Sequence, residues 1–147
     1  MALPNKAMRY VIIISIICYS ISWFLPAFEF GKDSLPGWTC AIEGLLLGGT
    51  IGHFEAYSNL FYLCIFPLIW RNTYQKRAMA LTTIALLLSS QTFTLKYIPS
   101  DGGPSYITNY GIGFYLWFFS FLLLFIVSVW QFLTVLSEKG VIQSNTD

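Results

Sequence analysis

Four long apolar blocks, separated by short polar links, are the feature that most limits how this chain can fold. The blocks cover residues 10–26, 54–70, 78–97 and 112–135, and they are 17, 17, 20 and 24 residues long. A helix that crosses a bilayer needs about 20 mostly apolar residues, within a range of about 17 to 25. The pattern predicts an all-α, polytopic membrane protein, a single domain over residues 1–147 with four transmembrane helices.

The composition favours this interpretation over a soluble protein with a large core. Hydrophobic residues make up 56% of the chain and charged residues 10%, whereas soluble domains carry about 25% charged residues. The apolar residues also come in blocks rather than at amphipathic spacing. The first block follows Lys6 and Arg9, as in a signal peptide, but no small-residue cleavage site comes after it. We therefore expect this block to be retained.

Basic residues predict the orientation in the membrane. Six of them fall in the two terminal segments and in the link between the second and third blocks: Lys6, Arg9, Arg71, Lys76, Arg77 and Lys139. The opposite side of the predicted topology has only Lys32 and Lys96. Because basic links stay on the cytoplasmic side, we expect a multi-pass protein of the bacterial inner membrane with both termini in the cytoplasm.

The stretch GLLLGGTIG, residues 44–52, lies in the first outer link. A crossing here would reverse the orientation of the basic link at 71–77, and nine helical residues cover only about 14 Å of a core of about 30 Å. We predict a short interfacial helix within residues 38–52, with a shallow dip into the membrane as the alternative. Gly44, Gly48 and Gly52 form two overlapping G-x-x-x-G units, which predict a close-packed helix face.

Weakly polar side chains within the blocks mark the faces where membrane helices touch. The packing candidates are Ser15, Ser22, Ser90, Gln91 and Gln131. We interpret them as helix contacts, and a polar path for a solute or proton is the alternative. Transport sites usually involve an ionisable residue at membrane depth, and the middle of each block contains none.

The residue patterns predict no catalytic residue, cofactor or metal. Cys18, Cys40 and Cys64 form no C-x-x-C motif, and Cys40 is either free or bridged to a second chain. His53 and Glu55 form a weak polar cluster at the outer interface. Their H-x-E spacing lacks the P-C-x-x-C element of zinc deaminases. The sequence has neither a phosphate-binding loop nor a basic nucleic-acid patch, so we expect no nucleic-acid partner.

Three stretches give the chain a resemblance to a known group. They are LPAFEFGKDSLPGW at 25–38, GIGFYLWFFS at 111–120 and EAYSNLFYL at 55–63. Together they resemble a group of small, uncharacterised bacterial inner-membrane proteins with four helices. Leu60 stands where that group tends to have proline. The resemblance implies a four-helix layout and no known activity.

The function that these features favour is that of a non-enzymatic accessory or scaffold protein. Its partners would be the lipid bilayer and either another membrane protein or a second copy of itself. The alternatives are an immunity protein against a pore-forming bacteriocin and a small transporter or channel subunit, with a membrane enzyme last. A neighbouring toxin gene would favour the immunity protein, and a polar lumen through Gln91 and Gln131 would favour the channel.

Overall fold

The computed structural model describes residues 6–51, 54–71, 74–98 and 103–144. Five α-helices make up most of these residues: α1 (Lys6–Ser22), α2 (Gly37–Ile51), α3 (Ser58–Trp70), α4 (Gln75–Gln91) and α5 (Ile112–Ser144). A 3₁₀ turn at Glu55–Tyr57 directly precedes α3, and another at Thr92–Thr94 directly follows α4.

Five short strands lie where α1 ends and α5 begins. They are β1 (Pro26–Phe30), β2 (Asp33–Pro36), β3 (Tyr97–Ile98), β4 (Ser105–Tyr106) and β5 (Asn109–Tyr110). The first sheet is antiparallel with the order β2-β1-β5, and β3 pairs with β4 in a second sheet. Gly31 starts the two-residue turn between β1 and β2 with a φ of 67°, which glycine adopts without strain.

Thr108 closes the first sheet across a long sequence separation. Its amide N–H and its hydroxyl both donate to the carbonyl oxygen of Glu29, each at 2.8 Å. The same hydroxyl oxygen accepts the N–H of Gly31 at 3.1 Å. These bonds attach the β1–β2 hairpin to the segment that leads into α5.

The helices pack around α5, and their buried apolar side chains form the core. α5 packs against α1 and α4, and α3 packs against α4. The buried apolar side chains of this core include Ile12, Tyr62, Ile65, Ile69, Ala85, Phe121, Leu124 and Val127. A second, smaller cluster of Ala27, Phe28 and Phe114 joins the first sheet to the start of α5.

Glycines allow the start of α5 to approach the backbone between α1 and β1. A Cβ atom on Gly113 would lie 2.7 Å from the carbonyl oxygens of Leu25 and Pro26, and one on Gly111 would overlap the carbonyl of Pro26. Gly111 also donates its N–H to the carbonyl oxygen of Ala27 at 2.9 Å. Only residues without a side chain permit this contact, because backbone atoms cannot move aside as a flexible side chain does.

The prediction of four transmembrane helices is wrong. Among the described residues, only α5 is both long and apolar enough to cross a membrane, over Ile112–Ser137, which has 26 residues and a mean hydropathy of 2.4. α1 and α4 have 17 residues each and α3 has 13. At 1.5 Å per residue, these helices are about 20 to 26 Å long, which is shorter than a bilayer core of about 30 Å.

The prediction failed because it counted turns and strands as helix. Block 10–26 ends in a turn and the first residue of β1, block 54–70 begins with a 3₁₀ turn, and block 78–97 ends in β3. The four-helix membrane bundle is therefore replaced by five helices with small antiparallel sheets and a buried aromatic cluster. The stretch from 38 to 52, for which we predicted a short helix, lies mostly in α2.

Two glycines of α2 provide a matched test of how this helix packs. A Cβ on Gly44 would lie 2.5 Å from the Cβ of Ala56, whereas a Cβ on Gly49 would lie 2.9 Å from the mobile hydroxyl end of Tyr57. We expect Gly44→Ala to lower the free energy of unfolding by about 1–3 kcal/mol through overpacking.

Gly49→Ala should be neutral or stabilising, because alanine is the better helix former by up to about 1 kcal/mol. Thermal unfolding of both variants in detergent checks the pair. A melting temperature for Gly44→Ala equal to that of Gly49→Ala would contradict the close contact between α2 and Ala56.

Candidate functional site

Ser15 joins three helices through one hydroxyl group. Its Oγ donates to the carbonyl oxygen of Ser120 on α5 at 2.8 Å and lies 2.7 Å from the hydroxyl of Tyr62 on α3. A serine has one hydroxyl proton, so the Tyr62 hydroxyl is the donor to Ser15. Ser15 and Ser120 are fully buried, and their small size lets the three backbones approach closely.

Asn59, in the first turn of α3, is a second junction of the same three helices. Its Oδ1 accepts the Tyr19 hydroxyl of α1 at 3.1 Å and the Trp117 indole N–H of α5 at 2.8 Å. Its Nδ2 donates to the carbonyl oxygen of Ala56 at 3.0 Å. Two donors on one oxygen fix which way the amide faces. The side chain thereby satisfies the buried hydroxyl of Tyr19 and the half-buried indole N–H of Trp117 at once.

Aromatic rings fill the space between these two junctions. Tyr19 and Tyr62 are stacked, with ring centroids 4.1 Å apart and planes 8° apart. Phe121 meets Tyr62 edge-on at 5.1 Å, and Trp117 meets Phe121 edge-on at the same centroid distance. Such pairs add about 0.5–1.5 kcal/mol each beyond the burial of their surface. We call Ser15, Tyr19, Asn59, Tyr62 and Trp117 the polar seam.

A cavity of about 150 Å³ lies next to the polar seam, between the two sheets, α2, the start of α5 and the two 3₁₀ turns. Its aromatic lining residues are Trp23, Phe28, Tyr97, Phe114 and Trp117, and its other apolar ones include Ala27, Leu35, Ala41, Leu47, Ala56, Leu95 and Ile98. The polar lining residues include Ser22, Cys40, Glu43, Glu55, Asn59 and Thr92. An apolar concave space with a few polar groups is the usual form of a small-molecule site.

The polar groups of the cavity differ in depth. Glu43 is exposed, so it must lie where the cavity opens. Thr92 is only 3% exposed, and its hydroxyl has no hydrogen-bond partner among the described residues. Its carbonyl oxygen, in contrast, accepts the Tyr110 hydroxyl at 3.1 Å. An unpaired buried hydroxyl is uncommon, and this one is shielded from the cavity, because its oxygen has almost no accessible surface.

The pKa of the Cys40 thiol reflects its burial and the nearby carboxylate of Glu43. Burial raises the pKa of its thiol from 9.0 to about 12, and the nearby Glu43 carboxylate adds to the rise. Both causes disfavour a thiolate, since burial removes water and a like charge repels the anion. Cys40 is a free thiol, but its raised pKa makes it a poor nucleophile near neutral pH.

The predicted packing residues fall in different places. Ser15, Ser22 and Gln131 are buried; Ser22 donates to the carbonyl oxygen of Tyr19 at 2.7 Å, and Gln131 donates to that of Ile69 at 3.1 Å. The bond from Gln131 satisfies the carbonyl group of Ile69 in the last turn of α3. Gly44 contacts Ala56 and Gly48 is buried.

The other candidates do not join this interior set. Ser90 is half-buried and donates to the carbonyl oxygen of Leu87 in its own helix, while Gln91 is exposed. Glu55 lines the cavity, whereas Gly52 and His53 lie outside the described residues. Within the described parts of the chain, no group of three His, Cys, Asp or Glu side chains could hold a metal ion.

Sequence reasoning missed Asn59, Tyr62 and Thr92. Asn59 carried a usable signal, since an asparagine within an otherwise apolar stretch needs hydrogen-bond partners. Tyr62 and Thr92 carried none, because their roles depend on residues far away in the sequence. Comparison with family models, curated proteins and solved structures finds no match. The resemblance to small four-helix membrane proteins therefore stays a prediction.

Substitution of Asn59 tests the polar seam. Asn59→Leu keeps the branched shape with a larger side chain, but it leaves the Tyr19 hydroxyl and the Trp117 indole N–H without their acceptor. Since each unpaired group costs about 1–3 kcal/mol and two are left, we expect a loss of about 2–6 kcal/mol in the free energy of unfolding. Leu63→Ala, at an exposed position of the same helix, should change it little. Similar losses for both variants in chemical denaturation would contradict the role of Asn59.

The pH dependence of Cys40 alkylation tests how burial and the charge of Glu43 affect the pKa of the thiol. In a Cys18→Ser, Cys64→Ser background, the rate should keep rising with pH beyond the ordinary thiol pKa of 9.0, because the Cys40 pKa is about 12. Glu43→Gln removes a like charge, so it should lower this pKa and move the profile to lower pH, while burial keeps it above the ordinary value. A parent profile that levels off near an ordinary thiol pKa would be incompatible with this environment.

Proposed function

We propose that the chain is an integral membrane protein with a non-enzymatic role, an accessory or scaffold protein that acts through contacts within the bilayer. α5 supports the membrane location, because its apolar part is long enough to cross the hydrocarbon core. By itself such a helix is compatible with the core of a soluble protein. The proposal therefore depends on how polarity is distributed over the rest of the fold.

The observation that carries the proposal is an inverted distribution of polar and apolar side chains. Large apolar residues are exposed along four helices, among them Ile13, Ile14, Ile17, Ile21, Leu60, Leu63, Ile84, Leu87, Ile126 and Leu133. Buried positions of the same helices hold Ser15, Asn59, Thr82, Ser89, Ser120, Ser128 and Gln131. A soluble monomer rarely exposes so much contiguous apolar surface, whereas membrane helices turn small polar residues inward.

Charges at the two ends of the helices support an orientation. Arg9 lies over the ring of Trp70, with its guanidinium carbon 5.8 Å from the ring centroid, and Arg77 lies over Tyr74 at 4.9 Å. Gln131 contacts the same end of α3. The opposite end carries Glu29, Asp33 and Glu43 on the sheet and α2. By the positive-inside rule, we propose the basic end, with the start of α1 and the end of α5, as cytoplasmic in a bacterial inner membrane.

The polar seam supports a packing role over transport. Its side chains bond to one another or to helix backbones, and these bonds occupy them in holding the helices together. The exposed apolar faces remain for lipid and for a membrane partner, which could be a second copy of this chain. The immunity-protein and channel interpretations stay predictions, since no specific contact favours either of them.

A charge in the middle of α5 distinguishes a membrane anchor from the core helix of a soluble protein. Ile126 lies near the centre of the apolar part and is 48% exposed. Ile126→Arg should strongly reduce the fraction that resists alkaline carbonate extraction, because an arginine at mid-membrane costs about 2.5–3.5 kcal/mol.

Ile126→Leu is the matched control and should stay fully integrated. In a soluble protein, an arginine at this exposed position would leave the fold intact and improve solubility. Recovery of well-folded Ile126→Arg protein in the soluble fraction would overturn the proposal.

A further inference from the structure

The cavity beside the polar seam has features of a ligand site that a packing role does not need. Its volume of about 150 Å³ is that of an apolar cavity that admits benzene, which leaves no room for a lipid acyl chain. The enclosed part therefore holds a group of about that size. The chemistry of the walls then decides which kind.

The charged lining residues all have the same sign. Glu43 contributes an exposed carboxylate at the opening, and none of the lining residues within the described parts of the chain is Lys, Arg or His. Burial is the main cause of the raised pKa of the Cys40 thiol, and the nearby Glu43 carboxylate adds to the rise. Such a site disfavours anions and favours a cation.

The neutral walls favour a cation as well. Five aromatic residues line the cavity, including Trp23 and Trp117, and the faces of aromatic rings attract ammonium groups. The aromatic lining and the carboxylate at the opening therefore suit a ligand with an apolar body and an ammonium group.

We propose that this cavity binds a small protonated amine whose apolar body is about the size of a benzene ring. The amine lies toward the carboxylate of Glu43 at the opening, and the apolar body contacts the aromatic walls. The proposal is independent of whether the chain acts as an accessory protein.

Three probes of similar size and different charge test the proposal on the unmodified protein. Benzylammonium, benzyl alcohol and benzoate are titrated into protein in maltoside micelles at neutral pH by calorimetry, with protein-free micelles as the blank. We expect saturable one-to-one binding of benzylammonium, binding of benzyl alcohol that is about tenfold weaker or more, and no binding of benzoate. Equal affinity for the alcohol and the ammonium, or no saturable binding of benzylammonium, would overturn the proposal.

Variants then locate the binding site. Glu43→Gln should weaken benzylammonium binding by about tenfold and leave benzyl alcohol unchanged. Glu29→Gln makes the same charge change on β1, away from the cavity lining, and should have no effect. An equal loss in Glu29→Gln and Glu43→Gln would indicate a general effect of net charge and contradict the site. Should Glu43→Gln fail to fold, the probe series on the parent protein decides the question.

Discussion

The hydrogen bonds that Ser15 and Asn59 make across α1, α3 and α5 are the interaction on which the rest of the structure depends. Each side chain contacts two other helices, and each is buried where water cannot replace a lost bond. In such surroundings an unpaired donor costs about 1–3 kcal/mol, so only one relative placement of the helices satisfies the set. The stacked rings of Tyr19 and Tyr62 then follow from that placement.

Close backbone contacts around the first sheet are a second constraint, and they shape the cavity. Gly111 and Gly113 bring the start of α5 against the backbone of Leu25 and Pro26, while Thr108 holds the hairpin to the same segment. α2 reaches back over this region and meets Ala56 through Gly44. Because backbone contacts set these distances, the side chains between them do not fill all the space. The cavity is the volume that remains.

Some of this arrangement could be read from the sequence, and the reason is periodicity. Ser15 and Ser22 are seven residues apart, which puts them on one helical face, and both are buried in the structure. Hydropathy alone misjudged the ends of the helices, since Trp23, Leu25 and Tyr97 are apolar but lie in turns or strands. The first sheet could not be predicted because its closing bond joins Thr108 to Glu29, 79 residues apart. The cavity depends on several such contacts, so no local pattern signals it.

The proposed membrane location places lipid, rather than water, around the exposed apolar side chains of the helices. Cys64 is an exposed native residue on α3 and offers a direct measurement. A nitroxide attached to Cys64, in a Cys18→Ser, Cys40→Ser background, is compared in vesicles with one at Ser34→Cys on β2, in a chain whose native cysteines are all serine. The account predicts that dissolved oxygen, which concentrates in lipid, relaxes the Cys64 label more than a water-soluble nickel chelate does, with the reverse order at position 34. Dominant relaxation by the nickel chelate at both positions would contradict it.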